Sequence, residues 1–180
     1  MLEPDQNLPA EATILGPVIN AVKANVSNFE VIFQDFARYE EVLDVADDTR
    51  YPMSLYVEMV DYMEARYGYG AMLKLGKAVG QTVIDVSLSK LPIKNFSDAI
   101  HAVQSAHEFF CEPTIGAFKI IRDDPRLILV EYSAPYNCRL QEGLFATLAK
   151  TYGGDVIPII TQQRCRREGA PTCIYQISLM

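Results

Sequence analysis

The spacing of apolar residues changes its period after about residue 110, and this change most constrains the fold of the chain. Before that point, apolar residues recur every three or four positions, as in Leu55, Met59 and Met63, which predicts helices. After it, β-rich runs flank turn signals at 123–125 and 168–171, with a helical run between the two pairs. The pattern predicts an α+β fold, in which an N-terminal helical half packs on a C-terminal antiparallel sheet of hairpin–helix–hairpin order.

The helical half divides into several runs. The pattern predicts helices at 14–26, 29–39, 51–67, 71–86 and 96–110, and it leaves the acidic segment 40–50 as a connection. Ser54 and Asn95 are the predicted caps of the third and fifth helices. The four-residue spacing of Gly76 and Gly80 indicates a close contact between two helices. In the second half, the pattern predicts a helix at about 139–152.

The length of 180 residues favours a single domain, expected at 13–180 behind a flexible polar leader at 1–12. Sixteen basic residues against 23 acidic ones give a net charge of −7, which argues against binding to nucleic acid or to an anionic membrane. No apolar run reaches the roughly 18 residues that span a bilayer, and no signal peptide is visible. We therefore expect a cytoplasmic protein.

Both histidines lie on the predicted helix at 96–110. His107 shares the core face of that helix with Phe96, Ile100, Val103 and Phe110, whereas His101 lies about 120° away and is expected to be solvated. An inward imidazole has two interpretations. It contacts a ligand or a haem iron in a pocket, or it is a core histidine bonded to a carbonyl or water.

Tyrosines and methionines cluster in the central helices, at Tyr56, Met59, Met63, Tyr67 and Met72. Such residues form either an adaptable pocket for a small ligand or an ordinary helical core. The candidate ligand-binding residues are His107, Met63, Tyr67, Met72, Phe110 and Tyr132.

Three of the four cysteines, Cys138, Cys165 and Cys173, would meet at one end of the predicted sheet if the second-half helix packs on it. Three thiolates lack one ligand of a tetrahedral zinc site, and Gln162 and Glu142 are candidates for the fourth. The alternative is that these cysteines are reduced and pack as small hydrophobic residues, as we expect for Cys111.

The sequence contains no Gly-x-Ser-x-Gly, glycine-rich phosphate loop or His-Glu-x-x-His motif. We therefore expect no enzyme activity.

Two parts of the chain resemble the superfamily of haem-nitric-oxide/oxygen-binding (H-NOX) domains. In the helical half these are Tyr51-Pro52, Val60-Asp61-Tyr62, Tyr67-Gly68 and Leu75-Gly76. The second part, stronger in pattern, is similar to the vinyl-reductase-type (4VR) small-molecule-binding domains: Cys138, Gly143, Gly153, Cys165, Gly169 and Cys173. The resemblance spans about 14–179 and implies the same α+β fold.

The resemblance also implies cofactors. In H-NOX domains a helical histidine before the sheet ligates haem iron, which points to His107 or His101. In H-NOX domains a Tyr-x-Ser-x-Arg motif also binds the haem propionates. Here Tyr132 is present, but Ala134 and Tyr136 stand at the serine and arginine positions. In the aromatic-sensing relatives, cysteines at the positions of Cys138, Cys165 and Cys173 bind zinc together with a glutamate, which is Gln162 here.

The sequence thus predicts a sensory domain that holds a small apolar ligand between the helical half and the sheet, with His107 as a polar contact. Such a domain signals to a separate partner protein, and a homodimer is left open. A haem-based gas sensor is one alternative. A ligand-free protein–protein adaptor, as the related TRAPP subunits are, is the other.

Overall fold

The computed structural model describes residues 9, 11–155 and 157–180 of the chain. Most of the predicted leader therefore lies outside the described residues. Ala12 at its end is buried, and its carbonyl accepts a hydrogen bond from the Met53 backbone N–H.

The first quarter of the described chain forms short elements: β1 (Thr13–Leu15), α1 (Gly16–Lys23), α2 (Phe29–Phe33), α3 (Tyr39–Leu43) and β2 (Arg50–Pro52). The first predicted helix begins only at Gly16, because residues 13–15 pair antiparallel with residues 50–52. The predicted connection at 40–50 was wrong in part, since it contains most of α3.

The central helix α4 (Met53–Val86) covers both helices predicted for this region. The predicted break between the two helices is a single irregular residue within α4, Gly68. Its φ of 74° is disfavoured for residues that carry a side chain. The prediction of Ser54 as the N-cap was wrong, because α4 begins after Pro52 without a side-chain cap. The Ser54 hydroxyl instead accepts a hydrogen bond from Arg38 Nη1 at 3.1 Å.

Helix α5 (Phe96–Phe110) begins as predicted, since Asn95 Oδ1 accepts a hydrogen bond from the Asp98 backbone N–H at 2.9 Å. Its apolar face is buried through Phe96, Ala99 and Ile100.

The C-terminal half confirms the predicted hairpin–helix–hairpin. Strands β3 (Phe118–Asp124) and β4 (Leu127–Tyr132) precede α6 (Cys138–Tyr152), and β5 (Pro158–Arg164) and β6 (Cys173–Leu179) follow it. The sheet has the order β3-β4-β6-β5, and all neighbours are antiparallel. Pairing of β4 with β6 joins the two hairpins into one sheet. The predicted α+β fold is confirmed.

Helix α6 lies between this sheet and α4. On the sheet side, the Phe145 and Tyr175 rings pack edge to face at 5.1 Å. On the α4 side, a Cβ atom added to Gly76 would lie 2.0 Å from the Leu140 carbonyl oxygen, and one added to Gly143 would lie 2.3 Å from the Leu73 carbonyl oxygen. The predicted helix contact at Gly76 is therefore a backbone-to-backbone contact.

Within the described residues, no helix combines the length and the apolar character needed to cross a bilayer.

Candidate functional site

A cavity of about 410 Å³ lies among α1, the C-terminal part of α4, α5 and the start of α6. Its walls are mainly aliphatic: Val18, Ala21, Val22, Val79, Val83, Leu88, Val103, Leu140 and Leu144. Val86 and Leu91 also border it and are about half exposed, at 56% and 49%. A volume of this size suits a small organic ligand.

His107 stands in the cavity wall and is 9% exposed. Its Nε2 atom lies 3.1 Å from the Gly116 carbonyl oxygen. Because a carbonyl only accepts, Nε2 carries the proton. Burial lowers the pKa of His107, which favours the neutral ring. The remaining nitrogen, Nδ1, is then an acceptor and faces the Tyr132 hydroxyl at 3.5 Å.

Three tyrosines complete this polar end of the cavity: Tyr56 and Tyr132, which are buried, and Tyr136, which is half-buried. The Tyr136 ring centre lies 5.4 Å from that of Tyr56 and 5.4 Å from that of Tyr132. The Tyr136 hydroxyl and the Cys111 thiol are 2.7 Å apart. Burial raises the pKa of all three phenols and of this thiol, so the four groups remain protonated and neutral.

The described residues that line the cavity carry no positive charge. Among the described lining residues there is no arginine or lysine, and the one formally charged side chain is Asp47. Asp47 is exposed, and its Oδ1 accepts a hydrogen bond from Asn20 Nδ2 at 2.8 Å. The cavity therefore offers no ion-pair partner to an anionic group.

The structure brings His107, Phe110 and Tyr132 together in the cavity lining, but not the other candidate ligand residues. Met63 and Met72 are buried in the core on either side of the irregular residue Gly68, and Tyr67 is 44% exposed. These three do not line the cavity, because the cavity contacts α4 at Tyr56 and again from Val79 onward.

The alternative haem residue His101 faces solvent. Its Nε2 lies 3.1 Å from Asp123 Oδ2, an atom that also accepts a hydrogen bond from Ser97 Oγ at 2.6 Å. His101 therefore joins α5 to β3 on the surface and does not contact the cavity.

Tyr56, Tyr136, Cys111 and Gln141 also line the cavity and were not among the candidate ligand residues. Helical spacing places Tyr56 on the apolar face of α4, but it gives no sign that this residue borders a cavity rather than solid core. Tyr136 lies in an irregular segment, where no periodicity applies.

The three cysteines of the predicted metal site meet as expected from their positions. Cys138 Sγ lies 3.6 Å from Cys165 Sγ and 3.3 Å from Cys173 Sγ, and the three sulfurs lie within 4.8 Å of one another. All three residues are buried. The Cys138–Cys173 hydrogen bond raises the pKa of Cys138 and lowers that of Cys173.

Gln162 borders this thiol cluster but does not present its oxygen to it. Its Oε1 accepts a hydrogen bond from Arg139 Nη1 at 3.3 Å. Its Nε2 is buried and makes no hydrogen bond of normal geometry to a described residue, although a weaker interaction of the amide with Cys138 acts to lower the pKa of that thiol. An amide nitrogen is not a metal ligand. Glu142 is also engaged, since it pairs with Arg139 at 3.3 Å.

Comparison with solved structures identifies the fold. An H-NOX protein from S. oneidensis in the Fe(II)NO ligation state has a TM-score of 0.70 at 15% identity, over 93% of this chain and 99% of that chain. An unliganded Fe(II) H-NOX protein from K. algicida has a TM-score of 0.67 at 11% identity, over 93% and 97%. The chain has the H-NOX fold. No family model matches the sequence, and no curated protein matches it.

The cavity residues do not fit a haem. Both nitrogens of His107 face protein atoms, and Nε2 is already a donor to Gly116. Tyr136, at the position of the arginine in the Tyr-x-Ser-x-Arg motif, is a half-buried neutral side chain in the cavity wall. Because the described lining contains no arginine or lysine, it does not neutralise two propionates.

Proposed function

We propose that this chain is a sensory domain that encloses a compact, mainly apolar ligand other than haem in the cavity beside His107. The observation that carries this proposal is an apolar cavity of about 410 Å³ with one cluster of neutral polar groups at a buried end. Sites for small organic ligands combine these two features.

The cavity is also suited to transmitting a signal. Its walls come from α1, α4 and α5 in the helical half, and from Tyr132 at the end of β4. A ligand that contacts both halves stabilises one arrangement of the helices against the sheet. We propose that this arrangement is read by a separate partner protein, and that no chemical step is catalysed.

The test uses naphthalene as an uncharged apolar probe and thermal unfolding as the readout. We expect naphthalene to raise the melting temperature of the wild-type chain, because a ligand that binds only the folded state stabilises it. Ala106→Leu places a larger side chain on the cavity lining and should abolish this increase. Ala65→Leu makes the same change at an exposed position and should preserve it.

An equal shift in wild type and Ala106→Leu, or no shift in either, would contradict a ligand-binding cavity. The haem alternative is tested separately by incubating the chain with hemin and recording the visible spectrum after gel filtration. We expect no retained haem band. A stable band that disappears in His107→Gln would establish the gas-sensor alternative instead.

We further propose that Cys138, Cys165 and Cys173 form a structural zinc site. A tetrahedral zinc with sulfur ligands at about 2.3 Å places two sulfurs about 3.8 Å apart. Two of the sulfur pairs are already at 3.6 and 3.3 Å. Because Gln162 turns its nitrogen toward the thiols, water is the expected fourth ligand rather than Gln162.

A further inference from the structure

Tyr56 differs from the other tyrosines, the histidine and the thiol at the buried end of the cavity. Its side chain is 2% exposed and lines the cavity, yet its hydroxyl makes no hydrogen bond to a described residue. Buried hydroxyl groups in proteins nearly always have a partner. The only fully buried side-chain polar atom without a partner among the described residues is Gln162 Nε2, so the Tyr56 oxygen is itself accessible from the cavity, where water or a ligand atom can be its partner.

The neighbouring imidazole, hydroxyl and thiol groups already have partners, whereas the Gln141 amide, which also lines the cavity, has no side-chain hydrogen bond to a described residue. His107 Nε2–H donates to the Gly116 carbonyl oxygen, and the Tyr132 hydroxyl faces the acceptor Nδ1 of His107. The Tyr136 hydroxyl is paired with the Cys111 thiol. Within this described cluster, the Tyr56 O–H is the remaining hydroxyl donor, so a ligand that enters this end meets one unpaired O–H.

The charge of the cluster restricts the atom that can take this hydrogen bond. Tyr56, Tyr132, Tyr136 and Cys111 are kept neutral by burial, and no described lining residue is basic. A buried carboxylate would lose its hydration without gaining a counter-ion, which is strongly unfavourable. An uncharged oxygen, in a hydroxyl or a carbonyl group, loses much less and accepts the same hydrogen bond.

We infer that Tyr56 is a ligand-recognition residue, and that the cavity takes a compound with an apolar body and an uncharged oxygen acceptor while it rejects carboxylates. This inference rests on the proposed function of the cavity, and it adds the chemical class of the ligand and the residue that selects it.

The experiment compares four naphthalenes that share one apolar body: 2-acetylnaphthalene, 2-naphthalenemethanol, 2-ethylnaphthalene and 2-naphthoate. Affinities for the full chain are measured by calorimetric titration at neutral pH. We expect the ketone and the alcohol to bind more tightly than the ethyl compound by about threefold to tenfold, the effect of one neutral hydrogen bond. We expect naphthoate to bind at least about tenfold more weakly than the ethyl compound.

Tyr56→Phe removes only the hydroxyl. It should bring the ketone and alcohol to the affinity of 2-ethylnaphthalene and leave 2-ethylnaphthalene itself unchanged. Tyr62→Phe is the matched control, because the Tyr62 hydroxyl donates to the Ile32 carbonyl oxygen at 3.2 Å and Tyr62 does not line the cavity. It should preserve the preference for the ketone and the alcohol.

The outcomes test the role of Tyr56 and the ligand-binding function of the cavity separately. Equal binding of the ketone and 2-ethylnaphthalene, an unchanged preference in Tyr56→Phe, or tight binding of naphthoate would each overturn the inference and leave a ligand-binding cavity in place. Failure of all four compounds to bind wild type would overturn the proposed function, and the inference with it.

Discussion

The Nε2 atom of His107 donates a hydrogen bond to the carbonyl oxygen of Gly116 at 3.1 Å, and this contact fixes which ring nitrogen carries the proton. Gly116 itself has a φ of 121°, and a Cβ atom there would lie 2.7 Å from the Ala134 backbone nitrogen. The carbonyl is thus held in place by a backbone conformation that favours glycine.

This histidine should make the folded chain sensitive to acid. Burial lowers the pKa of His107 in the folded state, so between the folded and unfolded pKa values the unfolded chain binds more protons. The contribution of the neutral His107 ring to the free energy of unfolding is fully present above the unfolded-state pKa of about 6.5. It decreases as the pH falls below that value. We expect the free energy of unfolding to decrease as the pH is lowered from about 7.5 to about 5.5. In His107→Gln, the share of this decrease that comes from the His107 ring should be absent.

Urea denaturation at a series of pH values measures the effect. His101→Gln is the control, because it removes the exposed imidazole and keeps His107. Equal pH dependence of wild type and His107→Gln would show that the buried ring contributes nothing to acid sensitivity.

The contact between α4 and α6 predicts a large effect of a small substitution. In Gly76→Ala the new methyl group would lie 2.0 Å from the Leu140 carbonyl oxygen, so the two backbones must separate. We expect a loss of about 3 kcal/mol in the free energy of unfolding, the upper end for overpacking. Gly70→Ala has nothing within 4 Å of its new methyl group and should be neutral or stabilising, by up to about 1 kcal/mol. Equal denaturation midpoints for the two variants would contradict the close approach.

Arg167 connects the turn between β5 and β6 to α4. Its side chain is 27% exposed and pairs with Asp61 at 2.5 Å and with Glu64. Glu64 also accepts a hydrogen bond from Asn137 Nδ2, the N-cap side chain of α6. Because these charges are partly desolvated, we expect Arg167→Gln to cost about 1–2 kcal/mol.

The matched control for Arg167 is Arg122→Gln, since Arg122 pairs with Asp124 at 2.5 Å and both side chains are about half exposed. We expect it to cost less than about 0.5 kcal/mol by chemical denaturation. A larger loss in the Arg122 variant than in the Arg167 variant would contradict a stabilising role for the Arg167 ion pairs.

The cluster of three thiols predicts that each folded chain binds one metal ion. We expect about one zinc per chain by elemental analysis of the purified protein, and a lower melting temperature after chelation. Cys165→Ser should lose the zinc, whereas Cys111→Ser should retain it, because Cys111 pairs with Tyr136 and is not part of the cluster. Equal zinc content in wild type and Cys165→Ser would exclude the site.

The sequence allowed the C-terminal half to be predicted well, because alternation along β6 reports directly which side chains face α6. Cys173, Tyr175, Ile177 and Leu179 are all buried as the pattern indicates. The helical face of α5 similarly predicts an inward His107. In both elements, the spacing of apolar residues along the element determines which side chains face the core.

The features that local periodicity could not indicate depended on contacts between distant segments. Residues 13–15 form a strand because residues 50–52 are there to pair with them, and no local pattern contains that information. The chemistry of Met63, Tyr67 and Met72 suits a pocket, but the position of a cavity depends on how whole helices pack. The orientation of the Gln162 amide depends on Arg139, 23 positions away.

Tyr136, Asn137 and Cys138 are consecutive, and each belongs to a different part of the molecule: the cavity wall, the Glu64 contact with α4, and the sulfur cluster. Adjacent Cα atoms are held about 3.8 Å apart by covalent geometry. The cavity wall and the sulfur cluster are therefore only two peptide bonds apart, and we expect a ligand that displaces the Tyr136 ring to change the reactivity of the Cys138 thiol.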